Sequence, residues 1–148
     1  VGSGGGFPGL PLHVVVPGLR TTLVDASRKK VSFLRHVIRS LQLERAEALH
    51  ARVEDLGRAP GQDRRYDVIV SRAFASMTEL LRAAWPLVKP GGRVVALKGI
   101  LSQAEMEAVR EESAGGAYGA VCRVETSRYR LPGLKSERMR VVVLWQPA

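Results

Sequence analysis

Cysteine is all but missing from this sequence. The single thiol, Cys122, makes no internal disulfide and no cysteine-built metal site. Three histidines, His13, His36 and His50, are scattered without the spacing of metal ligands, so a metal-free protein is expected. Long hydrophobic runs are missing too. No apolar stretch exceeds six residues, far short of the roughly 20 a membrane helix needs. No signal-peptide pattern is visible, and the expected location is the cytoplasm. Acidic residues are outnumbered, 14 against 23 Lys and Arg, for a net charge of +9. That excess favours a polyanionic partner, nucleic acid or an anionic membrane surface, over an acidic one. A merely basic surface is the plainer alternative.

What is present suits one globular domain. At 148 residues with 45% hydrophobic residues, the chain can bury a core and is neither disordered nor fibrous. The sequence has no initiator Met, and Val1 runs straight into Gly2-Ser-Gly-Gly-Gly6. A glycine loop of this kind normally follows a strand. The expectation is a fragment, residues 1–148 forming a single domain without its first strand.

Apolar periodicity alternates between helix-like and strand-like segments. Residues 8–16 read as a short helix with Pro8 in its first turn. Residues 21–25 (TTLVD) read as a strand. Residues 27–41 read as a helix whose apolar stripe is Val31, Leu34, Ile38 and Leu41. A weak strand over 46–51 and a polar loop over 57–65 follow. Residues 66–71 (YDVIVS) form a buried-type strand and 77–88 a helix. Pro90-Gly91-Gly92 reads as a turn into a strand over 93–97, then comes a polar helix over 102–112. Residues 120–129 and 140–145 end the chain as an antiparallel pair joined by a loop over 131–137. Alternating strands and helices with apolar strands predict an α/β fold, a mostly parallel sheet covered on both faces. The closing pair predicts an antiparallel final strand. Ligands of such sheets lie beyond the carboxyl ends of the strands.

The candidate chemistry gathers at those ends. Gly2, Gly4 and Gly6 permit positive φ and close approach of backbone to a ligand. The helix after them would point its N-terminus at that ligand. About twenty residues on, Asp25 ends the next strand, where a carboxylate can accept both hydroxyls of a ribose. The plainer reading is a tight turn followed by an ordinary strand-end Asp. Arg52-Val53-Glu54-Asp55 follows the weak strand, where Glu54 could accept from an adenine amino group and the backbone near Val53 could meet a ring nitrogen. It could equally be an acidic capping turn. Arg72 follows YDVIVS and can hold a phosphate or carboxylate in bidentate fashion, or lie on the surface. Lys98 ends the next strand beside the same cleft, or snorkels. Arg28, Lys29 and Lys30 open a helix, where cations oppose the dipole. On a helical wheel Arg28, Arg35, His36 and Arg39 share a face away from the apolar stripe. Such a costly placement suggests use in binding, against an ordinary solvated face.

Taken together, VGSGGGFPGLPL, TLVDASRKKVSFLR, ARVEDL, YDVIVSRAFAS, LVKPGGRVVALKG and the terminal LPGLKSERMRVVVL resemble the bacterial RsmG (GidB) methyltransferases. SRAFAS with ALKG is far more specific than the glycine loop. The resemblance implies a class I, Rossmann-like methyltransferase fold that uses S-adenosyl-L-methionine. It implies methylation of guanine N7 in the decoding-region loop of 16S rRNA, with the rRNA or the small ribosomal subunit as partner and a monomer as the active form. Cofactor contacts carry over onto Gly2, Phe7, Val53, Glu54 and Arg72, and Asp25 fits the ribose role of the class. Arg28, Lys29, Lys30, Lys98 and Arg138 are the RNA-side candidates. Two departures stand out. The N-terminal helices and the first, central strand of the family are absent, and ERMR stands where ERHL-type sequences are commoner, which leaves the roles of Arg138 and Arg140 open. No residue reads as a general base, which suits N7, whose in-plane lone pair needs no deprotonation. A nucleotide-cofactor oxidoreductase and a catalytically inactive RNA-binding fragment are the alternatives.

Overall fold

The computed structural model of the chain describes residues 1–58, 65–72, 74, 76–99, 101–114, 121–130, 132–133 and 137–146. The expected loops over 57–65 and 131–137 fall largely outside these residues. In chain order the elements are α1 (Gly9–Val15), β1 (Thr21–Asp25), α2 (Arg28–Ser40), β2 (Ala46–His50), α3 (Val53–Leu56), β3 (Tyr66–Ser71), α4 (Met77–Ala84), a 3₁₀ turn (Trp85–Leu87), β4 (Val88–Lys98), α5 (Gln103–Ala114), β5 (Val121–Arg130) and β6 (Glu137–Gln146).

The strands form two sheets. β1 and β2 pair in parallel, and the second sheet runs β3-β4-β6-β5. β3 and β4 are parallel, while β6 is antiparallel to both β4 and β5. The antiparallel ending thus agrees with expectation. β1 and β3 do not pair with each other. Residues 1–3 link them instead: the Val1 nitrogen donates to the Val70 carbonyl at 2.7 Å, and the Ser3 amide to the Val24 carbonyl at 3.0 Å. Both acceptors lie next to the last residue of their strands, so the carboxyl ends of β1 and β3 face the same way. Below this link, between the sheets, lies a cavity of about 280 Å³ walled by Leu23, Val24, Ile69, Val70 and Leu87 among others.

Each sheet has its own core. Leu10 from α1 and Val31 and Leu34 from α2 pack on Leu23 and Ala48. Leu80, Leu81 and Ala84 from α4 and Val109 from α5 pack with Ile69, Val94, Ala96, Val141 and Val143 on one face of the larger sheet. Burying several such side chains, at about 1.5–3 kcal/mol each, is what fixes the helices in place.

Among the differences from the sequence expectation, β6 begins at Glu137 and not at residue 140, and three others have a local reason. The stripe of α2 ends early: Leu41 is 60% exposed because it sits at the C-cap, and Leu43 packs on the core instead. The helix expected over 77–88 stops at Ala84 and tightens into the 3₁₀ turn. Pro86 has no N–H for the carbonyl four residues back, so the α-helix cannot continue. Pro90-Gly91-Gly92 is not a turn before a strand but an irregularity inside β4, between the pairs Tyr66–Val88 and Val68–Arg93. A Cβ on Gly92 would lie 2.8 Å from the Asp67 carbonyl, so only glycine lets the two backbones meet there.

Candidate functional site

The glycine loop and Asp25 meet. Asp25 is the last residue of β1 and is 7% exposed. Its Oδ2 accepts the Gly4 amide at 2.8 Å and its Oδ1 the Ser27 amide at 2.9 Å. One carboxylate thus ties the loop before α1 to the turn before α2. Gly2, Gly4 and Gly6 have φ of 62°, 53° and 99°, values that residues with a Cβ rarely adopt. A carboxylate offers about four lone-pair sites, and backbone takes two here, which leaves two for a vicinal diol.

Phe7 and Arg72 also meet. Phe7 follows the glycine loop and is 54% exposed, and Arg72 follows the last residue of β3. The Arg72 guanidinium carbon lies 5.8 Å from the Phe7 ring centroid, a cation–π contact. It holds an arginine with a planar donor fork over the carboxyl ends of the strands. Ala73 and Ala75 of the SRAFAS motif lie outside the described residues.

The ARVEDL segment divides its roles. Val53 is 5% exposed and part of the larger core, so its side chain is structural while its backbone opens α3. Glu54 is exposed and lines a separate cavity of about 490 Å³ with Arg58, Phe74, Glu79 and Arg82. β2 ends at His50, level with Asp25, and the Ala51 amide donates to the Asp25 carbonyl at 3.3 Å. The segment therefore leaves the sheet beside the glycine loop. Phe74 in that wall was not among the expected contacts, although it stands in the SRAFAS motif.

The cations separate into committed and uncommitted groups. Arg28, Lys29 and Lys30 are exposed at the start of α2, next to the Asp25 turn. Arg35, read from the sequence as part of the same basic face, is different: its Nε donates to the Ala48 carbonyl at 3.0 Å and fastens α2 to β2. Lys98 ends β4 opposite Met139. Hydrogen bonds from the Ser102 backbone N–H and hydroxyl hold the Glu105 carboxyl below the usual range, with a lesser contribution from the Lys98 charge. Arg138 is exposed on β6, opposite Tyr129. Among the described residues no group of His, Cys, Asp and Glu could hold a metal ion, and no helix is long and apolar enough to cross a membrane.

The donors and acceptors gathered here fit a nucleoside that carries a carboxylate: a diol acceptor at Asp25, an open glycine backbone, and a guanidinium at Arg72. The cavity between the sheets is mainly apolar, and although Arg20, Thr21 and Thr22 line it, it has no carboxylate to accept a diol and does not fit it.

The chain is similar to one protein family over most of its length. A family profile described as GidB, rRNA small subunit methyltransferase G, matches residues 1–124. A Staphylococcus carnosus protein named ribosomal RNA small subunit methyltransferase G is 38% identical over 144 residues, 97% of this chain and 59% of that protein. A Geobacter sulfurreducens protein of the same name is 45% identical over 132 residues, 89% of this chain and 58% of that protein. The chain thus spans little more than half the length of these relatives. Among solved structures, a SAM-dependent methyltransferase from Aquifex aeolicus superposes with a TM-score of 0.69 at 17% identity, over 97% of this chain and 79% of that one. At that identity the likeness is one of fold, that of a Rossmann-like α/β methyltransferase.

Proposed function

The chain belongs to the GidB family of small-subunit rRNA methyltransferases G, and from that premise we propose that it binds S-adenosyl-L-methionine and methylates guanine N7 in 16S rRNA. The observation that carries the reading is the Asp25 carboxylate, buried at the carboxyl end of β1 and gripping both Gly4 and Ser27. Asp25 takes the ribose hydroxyls. Gly2, Gly4 and Gly6 would offer their backbone to the cofactor, and Phe7 and the Val53–Glu54 segment would help to hold it. Arg72, steadied by Phe7, takes the carboxylate of its amino-acid portion.

The cofactor supplies an electrophilic methyl group on a sulfonium. Guanine N7 attacks with a lone pair that is already free, so no side chain has to remove a proton. The protein's contribution is alignment of nucleophile and methyl carbon, which converts a bimolecular encounter into an oriented one. Positive charge passes to the base, so a cation held at N7 would oppose the reaction. Arg72 therefore serves a carboxylate and not the base. Arg28, Lys29, Lys30, Lys98 and Arg138 serve RNA phosphates.

The same reading takes residues 1–148 as part of one methyltransferase domain, a cytoplasmic monomer in which a strand upstream of Val1 fills the cavity between β1 and β3. Calorimetric titration with S-adenosylhomocysteine and, separately, with NAD tests the cofactor assignment. Binding of the first alone is expected. Binding of NAD alone makes the protein an oxidoreductase.

A further inference from the structure

β5 and β6 form a two-stranded ribbon whose two faces differ in which arginines have a carboxylate partner. Directly opposed residues of an antiparallel pair point to the same side. The face that packs under the helices carries Val124, Val141 and Val143 and, toward its end, Arg128, Arg130, Met139 and Glu137. Its arginines are answered: Arg128 and Arg130 each lie 3.8 Å from a Glu137 carboxylate oxygen. The other face carries the opposed pairs Tyr129–Arg138 and Ser127–Arg140. Arg138 and Arg140 are exposed and Tyr129 is half-buried. The next acidic residue along that face, Glu125, is already paired with Arg123 at 3.1 Å. No ion pair to Arg138 or Arg140 occurs among the described residues.

The position of this face matters as much as its charge. Met139 pairs with Lys98, the last residue of β4, so Arg138 lies at the carboxyl end of the parallel strands. That is the end at which Asp25 and Arg72 emerge. β6 stands two strands from β3, about 10 Å at the usual spacing. On the other flank of the cleft stand Arg28, Lys29 and Lys30.

We propose that the Tyr129–Arg138–Arg140 face of the β5–β6 ribbon is a docking platform for single-stranded RNA, with the two arginines on phosphates and the Tyr129 ring under a base. The proposal rests on the RNA methyltransferase reading above, which already sets Arg138 on a phosphate, and extends it to Arg140 and the Tyr129 ring. Uncompensated arginines beside an aromatic ring are what strand-tracking surfaces use, phosphate attraction giving salt dependence and stacking giving sequence tolerance.

The test is a salt titration of binding to a fluorescein-labelled single-stranded RNA, using the full protein as its gene encodes it. Arg138→Ala with Arg140→Ala should lower the slope of log affinity against log salt by about 0.7 for each phosphate no longer neutralised. Tyr129→Ala should weaken binding at least about fivefold with an unchanged slope, and Tyr129→Phe should bind as the parent does. Arg128→Ala with Arg130→Ala, on the opposite face, should leave the slope alone. S-adenosylhomocysteine affinity should be the same in all of them. An unchanged slope in the Arg138/Arg140 variant overturns the proposal, as does a loss of its S-adenosylhomocysteine affinity, since those arginines would then be serving the fold. A parent protein that binds RNA but not S-adenosylhomocysteine overturns the methyltransferase reading instead, and the slope comparison still decides the platform.

Discussion

Asp25 holds two backbone amides and, in the proposed complex, two hydroxyls. Replacing it with alanine removes the acceptor for Gly4 and Ser27 as well as for the ribose. A charge-assisted hydrogen bond is worth about 1.5–3 kcal/mol, so Asp25→Ala should weaken S-adenosylhomocysteine binding about tenfold or more and also lower the melting temperature. Asp25→Asn keeps one acceptor oxygen without the charge and should fall between. RNA affinity should barely move in either. Calorimetry beside a thermal melt separates the effects, and wild-type cofactor affinity in Asp25→Ala would remove the residue from the site. The acid was legible in the sequence because it ends an apolar strand about twenty residues after a glycine loop. Its double grip was not, because Gly4 and Ser27 come together only in the folded chain. Arg35 shows the same limit. On a helical wheel it belongs with Arg28 and Arg39, but its partner is a carbonyl on β2, which no helical wheel contains.

Among the elements, those defined by their own residues were the most legible. β3 reads YDVIVS and spans Tyr66–Ser71, the residues expected from the sequence. α2 reads as an amphipathic helix, and its bounds match to one residue at each end. Elements shaped by neighbours were less so. The Pro90-Gly91-Gly92 irregularity depends on where β4 meets Tyr66 and Asp67, which local turn chemistry does not encode. The proposed strand between β1 and β3 can be tested on specific amides. Val24 and Val70 turn their carbonyls toward residues 1–3, and alternation along a strand turns Thr22 and Val68 the same way. If an upstream strand lies between them, the Thr22 and Val68 amides should be protected from hydrogen exchange in the full-gene protein and unprotected in the 148-residue chain. Equal, rapid exchange in both would mean that the cavity is not filled by a strand.

As a whole molecule, the chain assembles its proposed site from parts that each need the others. β1 supplies Asp25, the loop before α1 supplies the glycines and Phe7, and β3 supplies Arg72. They converge because the carboxyl ends of β1 and β3 face one way, which the alternation of strands and helices foretold. The net charge of +9 was legible as a sign of a polyanionic partner. Its distribution was not, since Arg82, Lys89 and Arg123 are spent on Glu112, Asp67 and Glu125, while Arg28, Lys29 and Lys30 at the α2 start and Arg138 and Arg140 on β6 have no ion pair among the described residues. The most direct measurement is methyl transfer from labelled S-adenosyl-L-methionine to small ribosomal subunits that lack the modification, followed by mass spectrometry of the digested 16S rRNA. The proposed reaction, which needs no general base, should yield N7-methylguanosine and no other methylated nucleoside. A methyl group on a different atom, or no transfer by protein that binds S-adenosylhomocysteine, would contradict it.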